Sequence, residues 1–92
     1  MSDSMVYARS PNVISTELDG EMVLLDTENW IYLEFDRIGA AIWGLLETPA
    51  ALPALVDALT ARYEVARGQC ENDTKAFLDE MIGKGVVTAT PG

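Results

Sequence analysis

No histidine occurs among the 92 residues. The commonest general base is therefore missing, and with it any Ser–His or Cys–His couple and any histidine-rich metal site. The single cysteine, Cys70, excludes an internal disulfide and fits a reducing compartment. Without a basic partner it reads as a small core residue rather than a nucleophile. Positive charge is also scarce: six Lys and Arg stand against fifteen Asp and Glu, a formal net charge of −9. Such a surface repels nucleic acid and attracts basic peptides in a salt-dependent way, unless it serves solubility alone. No segment approaches the roughly 18 apolar residues of a membrane span. Met1 to Ser10 lacks the basic start and apolar run of a signal peptide. The expectation is a cytoplasmic chain with no membrane or nucleic-acid partner.

What is present is apolar material for one modest core, at 49% of the residues. Residues 1–11 are polar and aperiodic and are expected to be a flexible N-terminal segment. Residues 12–88 carry the domain, and 89–92 a tail. The chain is organised around Asp26 to Trp43. Trp30 to Phe35 reads as a strand, with Ile31, Leu33 and Phe35 on one face and Trp30, Tyr32 and Glu34 on the other. At Asp36 the period changes to helical, through Ile38, Ala41, Ile42 and Leu45, and Asp36 is placed to cap the first amides.

Upstream, Asn12 to Leu18 and Glu21 to Asp26 are two further strands, separated by the two-residue hairpin signal Asp19-Gly20. Thr27-Glu28-Asn29 turns into the third. Short turns throughout make an antiparallel meander. Downstream, helix 1 runs from about Arg37 to Glu47 and stops before Pro49. Helix 2 runs from about Pro53 to Tyr63, with Leu52, Leu55, Val56 and Leu59 as its stripe. Helix 3 spans roughly Gln69 to Lys84 and ends near Gly83 or Gly85. Its inward stripe is Cys70, Thr74, Phe77, Leu78 and Met81. Val86 and Val87 suggest a short extended tail. A three-stranded antiparallel sheet followed by three helices is an α+β domain whose third strand can remain an edge.

Catalytic parts cannot be assembled from these residues. Gly39 and Gly44 lie inside a predicted helix and suggest close packing, not a phosphate loop. Glu71, Asp73, Asp79 and Glu80 on helix 3 are too widely spaced for a calcium loop and read first as a solvated face. Trp43 reads as core and Tyr63 as a cap at its edge. Trp30 and Tyr32 either cover a helix flank or line a groove. The sequence reads as a binding module rather than an enzyme, with no cofactor implied.

Leu24-Leu25-Asp26, Tyr32-Leu33-Glu34-Phe35-Asp36 and Gly39-Ala40-Ala41-Ile42-Trp43 resemble the signature of the PqqD-like proteins. Leu59, Tyr63, Asp73 to Leu78 and Gly85-Val86 continue the likeness, so that it covers about Asn12 to Val87. Each motif is short and apolar; their order and spacing together are more specific. PqqD-like proteins are recognition elements for ribosomally synthesised, post-translationally modified peptides, and this chain is most similar to the stand-alone elements of lasso-peptide biosynthesis. The resemblance implies a winged-helix-like fold that binds the leader segment of a precursor peptide as a strand added to strand three, against helix 3. The implied site is Asn29, Trp30, Ile31, Tyr32, Leu33 and Glu34 on the strand, with Asp73, Ala76, Phe77 and Glu80 on the helix. The opposite flank, Lys75, Asp79 and Ile82, is the alternative wall. The implied partner is a separate leader peptidase, a transglutaminase-like cysteine protease, or another modifying enzyme. Two alternatives stay open: a PqqD proper acting with a radical enzyme, and a winged-helix DNA-binding regulator. Low charge complementarity disfavours the second, since helix 3 carries only Lys75 and Lys84 among its four carboxylates.

Overall fold

A computed structural model describes residues 5–19 and 21–91. In chain order these form β1 (Met5–Arg9), β2 (Val13–Leu18), β3 (Glu21–Asp26), β4 (Ile31–Phe35), α1 (Arg37–Leu45), β5 (Ala50–Ala51), α2 (Leu52–Arg62), α3 (Arg67–Gly83) and β6 (Val87–Pro91). β2, β3 and β4 make an antiparallel sheet in that order. With the three helices this is the α+β arrangement the sequence implies. Leu18 pairs with Glu21, so the first hairpin is as short as expected, and Asp19 adopts a φ of 53°. Gly20 lies outside the described residues.

Register explains how the sheet meets the helices. Leu24 stands opposite Leu33, and Met22 opposite Phe35, which puts this apolar set on one face. Leu24 is wholly buried there, with Ile42 and Trp43 of α1 and Leu78 and Met81 of α3 in the same core. Phe35 joins three elements. Its ring meets Trp43 edge-on at 6.0 Å and Phe77 of α3 at 5.1 Å. Such aromatic pairs add about 0.5–1.5 kcal/mol each beyond the area they bury.

The helices begin and end for local reasons. Asp36 caps α1 by accepting from the Gly39 amide at 2.8 Å. Pro53 sits in the first turn of α2, where its missing N–H costs nothing. α3 starts at Arg67, two residues before the expected Gln69. Gly85, just past its C-cap Lys84, stops it at φ +80°, with Val86 N–H donating to Met81 O and Gly85 N–H to Ile82 O. That is a Schellman stop, and the buried Val86 and Met81 supply its apolar contact.

The termini depart from expectation. Met5 to Arg9, expected to be loose, is the central strand of a second sheet ordered β5-β1-β6. Thr88 to Pro91, expected partly as tail, pairs along β1 from Met5↔Pro91 to Arg9↔Val87. Tyr7 is buried in the core. Arg9 lies 4.7 Å over the Trp43 ring and donates to Trp43 O through Nη2 at 2.6 Å and Nε at 3.1 Å. Strand pairing and these side chains fix the segment, and both depend on partners far away in sequence.

Candidate functional site

β4 pairs only with β3, so among the described residues its other backbone edge is open. Its side chains alternate as the sequence suggests. Ile31 and Leu33 are half-buried and Phe35 is buried, whereas Tyr32 and Glu34 are exposed. Facing the open edge is one flank of α3. Leu33, Glu34 and Phe35 share a hollow with Phe77, Glu80, Met81 and Lys84. Of the two possible helix flanks, this one faces β4. Lys75 and Asp79, on the other, are paired with each other at 3.0 Å.

The hollow does not stop at β4. A second one, lined by Asp36, Ile38, Gly39, Asp73 and Phe77, adjoins it and shares three of its residues: Asp36, Gly39 and Phe77. Beyond Ile38 and Asp73 an apolar pocket opens between Leu59, Tyr63, Val65, Cys70 and Thr74. The whole forms a groove along α3, from Lys84 at one end to Val65 at the other. Gly39 sets its floor. A Cβ there would stand 3.1 Å from Phe77 Cε1, 3.2 Å from Phe35 Cβ and 3.3 Å from Asp36 Oδ1. A Cβ here would require the Phe77 ring or its neighbours to give by a few tenths of an ångström. Glu34, Asp36, Asp73 and Glu80 line the groove with a single cation, Lys84, among them.

Three expected site residues are placed differently. Ala76 is exposed on α3 and lines none of these hollows, although it neighbours Asp73 and Glu80 on the helix. Asn29 and Trp30 are not in the strand; β4 begins after them, at Ile31. They belong to a four-residue turn whose ends are the paired Asp26 and Ile31. The turn is built on Asp26, whose buried carboxylate takes four hydrogen bonds. Oδ1 accepts from Glu28 N–H at 2.9 Å, Asn29 N–H at 3.2 Å and Asn12 Nδ2 at 2.7 Å; Oδ2 accepts from Asn29 Nδ2 at 3.1 Å.

The Glu28 amide does most to hold the Asp26 carboxyl below its usual range. Burial opposes that shift, and the Asn29 amide and the Asn29 and Asn12 side chains reinforce it. Trp30 closes the turn with a 2.7 Å bond from its N–H to Asp26 O, at a φ of 57°. Asp26 belongs to the family-like motif in the sequence, but its role in holding the turn was not read from it, although an Asp just before a short turn is a recognisable Asx signal. Sequence reading also passed over the apolar pocket, since Ile38 and Val65 become neighbours only through tertiary packing.

A free strand edge beside a helix flank is a geometry in which an extended peptide can be added to a sheet. Residues 21–87 match the model of the family described as coenzyme PQQ synthesis protein D (PqqD), and the chain belongs to that family. Among solved structures it is similar to TbiB1 in complex with the TbiA(beta) leader peptide. That likeness has 34% identity and a TM-score of 0.80, over 87% of this chain and 93% of that one. It is similar also to a lasso peptide synthetase B1 complexed with the leader peptide, at 25% identity and a TM-score of 0.78, over 89% and 96%. No curated protein matches the chain.

Proposed function

We propose that this chain binds the leader segment of a ribosomally synthesised precursor peptide and delivers it to a separate leader peptidase or other modifying enzyme of a lasso-type pathway. The observation that carries the reading is the open β4 edge facing Phe77 and Glu80, in a fold similar to two leader-peptide complexes. The leader adds antiparallel to β4. Backbone pairing supplies affinity, and side chains at alternate positions enter the groove. Antiparallel addition puts upstream leader residues past Phe35 and Asp36, and downstream ones beside Ile31. The apolar pocket beyond Ile38 then takes an apolar upstream side chain. The carboxylates of the groove favour basic or hydroxyl-bearing neighbours. In this reading the module does no chemistry of its own; the partner enzyme cuts or modifies the peptide.

The test is a fluorescence-anisotropy titration with the leader of the precursor encoded beside this chain, at low and physiological salt, with the TbiA(beta) leader as a second probe. Saturable binding at micromolar affinity or tighter, retained at physiological salt, is expected. Absence of saturable binding to both leaders would overturn the reading, and binding to control duplex DNA instead would revive the regulator. The family description keeps a second reading in play, a PQQ-type precursor presented to a radical enzyme. Preference for a PQQ precursor peptide in the same titration would select it.

A further inference from the structure

Trp30 stands where a large side chain is least expected. Its φ of 57° lies in the left-handed region, which glycine enters freely and a bulky L-residue only under strain. The turn imposes that conformation, since Trp30 N–H must reach Asp26 O while the Asp26 carboxylate holds the amides of Glu28 and Asn29. The indole is 75% exposed, so its own fold buries little of it. It also directly precedes Ile31, the first residue of the open edge.

We infer that Trp30 is a specificity residue whose indole makes apolar contact with the downstream end of the leader as that peptide leaves β4. The inference rests on the leader-binding reading above and deepens it. Strain of this kind persists where the surrounding structure imposes it, and it clusters at binding sites and ligand clamps. An antiparallel added strand brings its C-terminal end to the start of β4, so the residues meeting Trp30 are those leading toward the cleavage or modification site. Trp30 would thereby read the passage out of the groove, and Phe77 and the pocket beyond Ile38 the passage in.

The test compares the wild-type chain with Trp30→Gly, Trp30→Asn and Trp30→Phe. Gly and Asn both relieve the strain, and are expected to raise Tm by roughly 2–8 °C while weakening leader binding about tenfold. Phe keeps an aromatic contact and the strain, so affinity stays within about threefold and Tm does not rise. A leader truncated at the residue opposite Ile31 should bind wild type and Trp30→Gly equally. A fall in Tm for both Gly and Asn would show that the indole supports the fold and would overturn the inference. Equal binding of the full leader by wild type and Trp30→Gly would overturn it too, with the leader-binding reading left intact. Failure of the wild-type chain to bind would remove that reading, and this inference with it.

Discussion

Two glycines behave oppositely at the residue scale. Both lie in α1, and both looked like sites of close packing. Gly39 is one: three atoms from three residues stand within 3.3 Å of where its Cβ would be. Gly44 is not, for nothing lies within 4 Å. Alanine gains about 0.5–1 kcal/mol from helix propensity at either position, but overpacking costs about 1–3 kcal/mol. Gly44→Ala should therefore raise the urea midpoint, and Gly39→Ala should lower it and perturb Phe77. Asp26 gives a second residue-scale expectation. Its folded carboxyl is lowered, so its contribution is fully present above the unfolded pKa of about 3.9 and is lost as pH falls through the folded value. Asp26→Asn should lose stability at neutral pH. Urea melts of the two proteins should converge as the pH drops below about 4.

In the proposed reading, β4 is the element on which leader binding turns. Tyr32 lines a hollow with Ile14, Val23 and Leu25, and Tyr32→Ala should weaken leader binding by about 1–3 kcal/mol in the anisotropy titration. Leu33→Pro removes a backbone donor from the strand and should abolish binding, with far-ultraviolet circular dichroism separating that loss from unfolding. At this scale the sequence was informative wherever local pattern decides structure. Alternation placed Ile31, Leu33 and Phe35 inward; spacing of three and four placed Cys70, Thr74, Leu78 and Met81 inside. Asp36 and Gly85 bounded helices by their own chemistry. Pattern failed at Trp30, because an aromatic beside an aromatic strand reads as more strand, and the turn's hydrogen bonds overrule that propensity. It failed again at Ile38, which opens the helical stripe but is 42% exposed in the groove wall.

The whole molecule depends on a strand that composition alone leaves loose. β1 fills the space between β5 and β6, sends Tyr7 into the core and lays Arg9 across Trp43. Its partners at Val87–Pro91 are some eighty positions away, so no local signal marks it. Arg9→Ala gives up two hydrogen bonds to Trp43 O and the stacked cation, and should cost about 2 kcal/mol in a urea melt. Removal of residues 1–9 also deletes the buried Tyr7, worth about 3–5 kcal/mol by itself against a total stability of about 5–15 kcal/mol. The shortened chain should melt far earlier, if it folds at all.

The Met5↔Pro91 pairing has an engineering consequence. The two ends of the described chain meet in a sheet separate from β4, so a linker of a few residues could join them into a ring. Opening that ring at the Asp19 hairpin would give a circular permutant with the open edge of β4 intact, and grafting either end to an enzyme would leave β4 unobstructed.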